Sequence, residues 1–187
     1  MNAPFTVLAV CTGNICRSPA VERLFAAHFR HDPSVHFASA GTGALVSNGI
    51  EPGMQRILQA RGVPTEGFAA RQLTEETIRS AQLILALTVA HRGEIVEMYP
   101  GAVRRVFTVR ELARLIDALP HGALPAGSAA DRFAALIPLA ARQRGMRVIA
   151  EEEFDVVDPY RGDDALFEES YRQIQPAVDR IARYVRG

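Results

Sequence analysis

The sequence predicts an α/β protein with a doubly wound, four-stranded parallel sheet and helices on both faces. Apolar runs of strand length alternate with helical patterns along the chain, and this alternation builds parallel sheets. One of these runs, residues 82–88, is almost continuously apolar, which is typical of a strand buried on both faces. The chain has 187 residues, of which 48% are hydrophobic and 22% charged, values that suit one globular domain over residues 1–187.

Each element is predicted from its hydrophobic periodicity and from the start and stop signals around it. Strands are predicted at 5–10, 35–40, 82–88 and 103–108, and helices from about residue 19, at 52–61, from 74, at 91–99 and at 109–119. Gly62 and Pro64 end the second of these helices, and Pro100 follows the fourth. Residues 120–130 are predicted to form a loop.

The C-terminal third predicts two further helices. Residues 131–144 have a helical pattern that Pro138 is expected to interrupt. From Phe167 to Val185 the apolar residues alternate steps of four and three, which gives one stripe facing the core. Pro176 lies within that stripe and is expected to kink the helix or mark a local break.

Composition excludes several classes of function. The formal net charge is zero, so no basic surface for nucleic acid or for an anionic membrane is expected. No apolar run reaches membrane-spanning length, and the N-terminal residues lack a signal-peptide pattern. With two cysteines and no cluster of metal ligands at matching spacing, neither a disulfide framework nor a metal site is expected. We therefore expect a cytoplasmic protein without a cofactor.

Residues 11–19 join the first predicted strand to the first helix and read Cys-Thr-Gly-Asn-Ile-Cys-Arg-Ser-Pro. A helix N-terminus presents unpaired N–H groups and a positive dipole end, which favour a bound phosphate. The same surroundings lower the pKa of a cysteine, so Cys11 is predicted to be a thiolate. Arg17 adds a planar fork that can hold two phosphate oxygens.

The rest of this segment is predicted to shape the loop around the anion. Gly13 allows a close approach of the backbone, Asn14 tolerates a left-handed turn, and Ser18 can donate a hydrogen bond to the thiolate. The predicted substrate-binding residues of the loop are Thr12, Gly13, Asn14, Ile15, Cys16 and Ser18.

The loop resembles the signature of the low-molecular-weight protein-tyrosine phosphatases, Cys-x-Gly-Asn-x-Cys-Arg-Ser-Pro. The glycine-rich turn Ser39-Ala40-Gly41-Thr42-Gly43 also resembles that family, although a turn that needs positive φ explains these glycines at least as well as a direct role in binding. Asp158-Pro159-Tyr160 resembles the segment that carries the family's general acid. The resemblance implies that Asp158 is the general acid and that Tyr160 forms an aromatic wall of the pocket. Asp155 is the competing candidate for the acid.

The activity implied is phosphomonoester hydrolysis through a cysteinyl-phosphate, most simply on a phosphotyrosine-containing protein. A phosphatase of a small aryl or sugar phosphate is the alternative, because residues 45–48 lack the aromatic residue that many relatives have near the pocket. An arsenate reductase that relays electrons through further thiols is disfavoured, since no third cysteine exists. A module that binds phosphotyrosine without turnover would not be expected to retain both Cys11 and Asp158.

Three features are left open by the sequence. Cys16 either forms a protective disulfide with Cys11 under oxidation, as the resemblance implies, or only packs beneath the loop. Arg161 stands where relatives often have a second Tyr or a Gly, a change expected to alter the preference for residues around the phosphorylated side chain. The surplus segment around residues 117–150 either covers the pocket, forms a partner surface or extends the core.

Overall fold

A computed structural model describes residues 3–144 and 151–187 of the chain. The strands are β1 Phe5–Cys11, β2 Val35–Gly41, β3 Leu83–Ala86 and β4 Val106–Thr108. The α-helices are α1 Arg17–His28, α2 Pro52–Ala60, α3 Glu75–Ser80, α4 Val89–Met98, α5 Val109–Ile116, α6 Ala129–Gln143 and α7 Asp164–Arg186. Short 3₁₀ helices cover Pro100–Ala102 and Glu151–Phe154.

The four strands form one parallel sheet in the order β2-β1-β3-β4. The chain therefore winds outward from β1 in both directions, and the predicted fold class is confirmed. Cys11 pairs in register with Gly41 of β2, and Val10 pairs with Ala86 of β3. The carboxyl ends of β1, β2 and β3 meet at one edge, where ligands bind in open α/β sheets.

Side chains that alternate along each strand build a separate core on each face of the sheet. Val7, Ala9 and Leu85 face the larger core, to which α1, α2, α5, α6 and α7 contribute. Leu8, Val10 and Ile84 face the smaller core, which is covered by α3 and α4. Helices on both faces explain why β1 and β3 read as continuous apolar runs.

Neither of the two helix-interior prolines breaks its helix. The interruption predicted at Pro138 is wrong, and so is the local break that was one of the two alternatives at Pro176. α6 is continuous through Pro138, and α7 is continuous through Pro176. A proline removes one backbone hydrogen bond, but a helix can be held across that position by packing on its other face. In α7 the fully buried Ile174 and Val178 flank Pro176 and pack into the larger core.

Several other boundaries differ from the sequence-based expectation, for example the end of α5 at Ile116 and not at 119, and local hydrogen bonds explain two of the differences. β4 begins at Val106 and not at residue 103, because the chain first turns through a 3₁₀ helix and Arg105 donates its N–H to the Ala102 carbonyl. α4 begins at Val89, two residues early, because the Thr88 hydroxyl accepts the His91 N–H and caps the helix.

The described part of the surplus segment packs into the core. Phe133 of α6 is fully buried, and its ring lies 5.6 to 6.4 Å from those of Phe25, Phe29 and Phe37. Leu136 and Ala140 are buried on the same face of the helix. Among the three alternatives left open for this segment, core extension describes residues 129–143, whereas residues 145–150 lie outside the described chain.

Candidate active site

A pocket of about 140 Å³ opens at the carboxyl edge of the sheet, above the turn between β1 and α1. Cys11 is the last residue of β1, and Arg17 is the first residue of α1. The pocket is lined by Cys11, Thr12, Gly13, Ile15, Cys16, Arg17, Gly43, Leu45, Asp158 and Tyr160. Residues distant in sequence are thus brought together by the strand order.

The turn after β2 holds the loop by its carbonyl groups. The N–H groups of Thr42, Gly43 and Leu45 donate to the carbonyl oxygens of Cys11, Thr12 and Gly13, at 2.9 to 3.0 Å. These three bonds join the loop after β1 to the turn after β2 and satisfy three of the carbonyl groups of the loop.

Gly41 is required by close packing and not by its backbone conformation. Its φ is not positive, so the predicted alternative of a positive-φ turn is wrong at this position. A Cβ at Gly41 would overlap the carbonyl oxygen of Thr12 and lie 3.0 Å from the Asn14 nitrogen. The absence of a side chain here allows the end of β2 to lie directly against the loop.

Asn14 is fully buried, adopts the left-handed conformation with φ 53°, and holds the loop from behind. Its amide nitrogen donates to Ser18 Oγ at 2.9 Å and to Ser39 Oγ at 2.8 Å. Its amide oxygen accepts the Arg71 N–H at 2.8 Å. Ser39 Oγ in turn donates to the buried carboxylate of Glu22 at 2.6 Å. Every hydrogen-bonding group of the Asn14 amide is therefore used.

The Cys11 sulfur lies 2.9 Å from Ser18 Oγ. Because Ser18 Oγ accepts from Asn14, its own hydrogen is available to donate to the sulfur. Cys16, the second cysteine, is also buried and unbridged. Burial and the nearby Cys11 raise the pKa of the Cys16 thiol above its ordinary value, so Cys16 stays protonated at neutral pH.

Arg17 is buried and reaches across to the segment before α7. Its Nη2 donates to Asp158 Oδ2 at 2.7 Å, and its Nη1 donates to the Val156 carbonyl at 3.3 Å. Its Nε is buried without a hydrogen-bond partner among the residues described. An unmet buried donor is costly, and the cost is recovered when an anion accepts from it.

An extended segment carries Asp158 to the pocket. The Val156 N–H donates to the Leu87 carbonyl, and the Val157 N–H donates to Gln173 of α7, both at 2.9 Å. Asp158 is half exposed, and its Oδ1 accepts the Tyr160 N–H at 3.2 Å. The segment is thus tied to β3 and α7 while its carboxylate faces the pocket.

Asp155, the competing acid, has another structural role. Its Oδ1 accepts the N–H of Val89, the first residue of α4, at 2.7 Å. Asp155 does not line the pocket. Its carboxylate fixes the N-terminus of α4 to the segment that carries Asp158.

The structure brings eight of the ten predicted site residues to the pocket wall, whereas Asn14 and Ser18 lie behind the loop. Gly43 and Leu45 also line the pocket but were not among the predicted site residues, although Gly43 ends the glycine-rich turn after β2 and Leu45 follows it. No role at the site was predicted for His91, which is buried and whose Nε2 lies 2.9 Å from Thr12 Oγ1.

The residues described contain no group of three or more His, Cys, Asp or Glu that could hold a metal ion. Over the same residues, no helix is long and apolar enough to cross a membrane.

A thiol and a guanidinium around an anion-binding loop, with a carboxyl group opposite, define a cysteine-dependent phosphate-ester hydrolase site. Residues 6–120 match the family model for low molecular weight phosphotyrosine protein phosphatases. The chain belongs to this family, and it is a hydrolase.

One of two curated relatives extends the match over nearly the whole chain, and the other covers half of it. The chain is 29% identical to the probable low molecular weight protein-tyrosine-phosphatase EpsP of Ralstonia nicotianae over 182 residues, 97% of each protein. It is 39% identical to Wzb of Escherichia coli strain K12 over 94 residues, which are 50% of this chain and 62% of that protein.

Solved structures of similar fold include Wzb from Escherichia coli K30 in complex with sulphate. It aligns with a TM-score of 0.68 at 25% identity, over 95% of this chain and 96% of that one. The YwlE arginine phosphatase from Geobacillus stearothermophilus aligns with a TM-score of 0.71 at 23% identity, over 98% and 94% of the two chains. The second likeness concerns the fold alone.

Proposed function

We propose that this chain is a protein-tyrosine phosphatase in which Cys11 is the nucleophile, Arg17 binds the phosphoryl group and Asp158 is the general acid. The observation that supports it most strongly is the convergence of these three side chains on one pocket. Arg17 links the other two, because it begins the helix after the Cys11 loop and donates to Asp158 at 2.7 Å.

In the first step the Cys11 thiolate attacks phosphorus, an S–P bond forms and the P–O bond to the leaving group breaks. The loop N–H groups and Arg17 stabilise the charge on the three equatorial oxygens. Arg17 Nη2 exchanges its bond to the half-exposed Asp158 for one to a phosphate oxygen, which frees the carboxyl group to protonate the leaving oxygen.

In the second step water attacks the cysteinyl-phosphate. An O–P bond forms, the S–P bond breaks, and the Asp158 carboxylate takes the proton from the water. Ser18 stabilises the departing thiolate, because its hydroxyl can donate to the sulfur at 2.9 Å while its oxygen accepts from Asn14. Inorganic phosphate then leaves, and no electron transfer occurs.

The walls of the pocket support an aryl substrate. Their apolar part is formed by Ile15 of the loop together with Leu45 and Tyr160. Leu45 and Tyr160 remain 38% and 43% exposed, so a phenyl ring entering between them would bury apolar surface. The Arg161 guanidinium lies 5.2 Å from the centre of the Tyr160 ring and holds it at the rim. A small aryl or sugar phosphate is not favoured, since the named relatives are protein-tyrosine phosphatases.

The test is the hydrolysis of aryl phosphates by variants of the three residues. Cys11→Ser should abolish turnover, because the hydroxyl is a far weaker nucleophile at neutral pH. Asp158→Ala should lower kcat by about 10²–10⁴-fold, and less for substrates whose leaving groups need no proton. Full activity in Cys11→Ser would refute the proposed nucleophile.

Asp155→Asn is the matched control for Asp158. The amide oxygen can still accept the Val89 N–H, but the side chain can no longer donate a proton as an acid. Asp155→Asn should therefore keep near wild-type kcat, whereas Asp158→Asn should not. The opposite result would transfer the role of general acid to Asp155.

We further propose that the protein works in the cytoplasm. We also propose that Cys16 protects Cys11 from irreversible oxidation. Both cysteines line the pocket, and a sulfenic acid formed at Cys11 can condense with the Cys16 thiol to a disulfide and water. The raised pKa of Cys16 slows this step at neutral pH. Mass spectrometry after peroxide treatment should detect the Cys11–Cys16 disulfide. Sulfinic acid at Cys11 beside a free Cys16 would contradict the protective role.

A further inference from the structure

We propose that His91 is a positioning residue that fixes Thr12, and through it the phosphate-binding loop. This inference rests on the proposed function, because it assumes that the loop binds the phosphoryl group. His91 is not part of the loop and does not line the pocket. It lies in the first turn of α4, the helix that follows β3 in the sequence.

The imidazole of His91 bridges two threonine hydroxyls. Its Nδ1 lies 2.8 Å from Thr88 Oγ1, and its Nε2 lies 2.9 Å from Thr12 Oγ1. Thr88 Oγ1 already accepts the His91 N–H at 3.1 Å, so its hydroxyl hydrogen is free to donate to Nδ1. In that tautomer the proton is on Nε2, which donates to Thr12.

Thr12 is held from two directions by this arrangement. Its carbonyl accepts from Gly43 in the turn after β2, and its hydroxyl meets His91 beyond the end of β3. Thr12 directly follows the nucleophile, so its orientation sets the first peptide of the loop. A loop whose N–H groups are already aimed at the anion binds it without reordering.

The same helix end also holds the segment of the general acid. The Val89 N–H, two residues before His91, is bound by Asp155. The N-terminus of α4 is therefore a junction between the Cys11 loop and the chain that delivers Asp158. A change at His91 is expected to act on phosphate binding before it acts on the chemical step.

The charges around His91 support a neutral imidazole. Burial and the Arg17 guanidinium lower its pKa, while Glu94, Asp155 and Asp158 act in the opposite direction. A neutral imidazole needs both hydroxyls to satisfy its two nitrogens, and both are present.

The test replaces His91 by two residues, each of which keeps one of the two hydrogen bonds that the ring makes to Thr88 and Thr12. In Gln the amide nitrogen can reach the position of Nε2, and in Asn the amide reaches only as far as Nδ1. His91→Asn should therefore raise both KM for an aryl phosphate and Ki for inorganic phosphate by about five- to tenfold, the loss of one hydrogen bond, with kcat nearly unchanged. His91→Gln should restore most of the affinity.

Substitution of Thr12 removes the other partner of the hydrogen bond to His91. Because Thr12 is exposed, its substitution does not threaten folding. Thr12→Val should raise Ki for phosphate as His91→Asn does, and the double variant His91→Asn/Thr12→Val should be no worse than either. Equal phosphate affinity in His91→Asn, His91→Gln and wild type, or additive effects in the double variant, would overturn the proposal.

Calorimetric titration with inorganic phosphate separates this inference from the proposed function. If wild type binds phosphate but hydrolyses no aryl phosphate, the proposed function fails, and the variants still test His91 by affinity. If wild type hydrolyses its substrate and the His91 variants bind phosphate as wild type does, only the inference on His91 fails.

Discussion

At the scale of single residues, the site depends on side chains whose polar groups are nearly all used. The Asn14 amide is hydrogen-bonded to Ser18, Ser39 and the Arg71 backbone. These bonds hold Asn14 in a left-handed conformation that is unfavourable for most residues. Arg17 is the exception, since its buried Nε has no partner among the residues described. The loop is thus fixed from behind, while Arg17, the proposed phosphate-binding side chain, keeps an unused donor.

At the scale of elements, the site is a meeting of four chain segments at one edge of the sheet. β1 supplies Cys11, the turn after β2 supplies Gly43 and Leu45, and α4 begins beside them after β3. The fourth segment carries Asp158 and is tied to β3 through the Leu87 carbonyl. Because each of these contacts joins two elements, we expect a substitution at the end of one element to shift the Cys11 loop.

Gly41→Ala tests the contact between the end of β2 and the loop. The new methyl group would overlap the Thr12 carbonyl, so backbone must shift, and we expect a loss of about 1–3 kcal/mol in the free energy of unfolding. Phosphate affinity should fall as well, because Thr12 moves. Urea unfolding and phosphate inhibition measure the two effects.

Gly49→Ala is the control for that substitution. A Cβ at Gly49 meets nothing within 4 Å, and its φ is not positive. Its stability and phosphate affinity should match wild type. If Gly41→Ala behaved like Gly49→Ala, the close packing of β2 against the loop would be irrelevant to binding.

At the scale of the whole molecule, two hydrophobic cores hold the sheet rigid and leave the site at its edge. The larger core includes α6, so the surplus chain contributes Phe133 and Leu136 to the same cluster as β1.

Two buried titratable groups near the site, His91 and Cys16, make the stability of the fold depend on pH.

The pKa shifts of these groups predict the direction of that dependence. The pKa of His91 is lowered below 6.5 in the folded protein, so the unfolded chain takes up the proton first and stability falls as pH drops below about 6.5. The pKa of Cys16 is raised above 9.0, so the unfolded chain loses its proton first and stability falls as pH rises above about 9.

Urea unfolding between about pH 5 and about pH 10 measures both limbs of this profile. His91→Gln should flatten the acid limb just below pH 6.5, and Cys16→Ser should flatten the alkaline limb. Each variant serves as the control for the other limb. Unchanged slopes in both variants would contradict the assignment of the pH dependence to these two residues.

The sequence by itself determined the fold class and the loop that begins at Cys11. Strand and helix periodicities are local properties, and the residues from Cys11 to Ser18 are contiguous, so their chemistry could be inferred without knowing the fold. Asp158 and Tyr160 were reached through a resemblance, because nothing local ties them to a loop some 140 residues away.

Only the tertiary structure decided which distant residues support that loop. The strand order β2-β1-β3-β4 brings Gly41 and His91 to either side of Thr12, a juxtaposition that no local pattern encodes. Packing also decided that α6 and α7 continue through their prolines, because the buried faces of both helices outweigh the local penalty. The chemistry of the loop follows from a short contiguous stretch of sequence, whereas close packing and burial depend on which distant segments become neighbours in the fold.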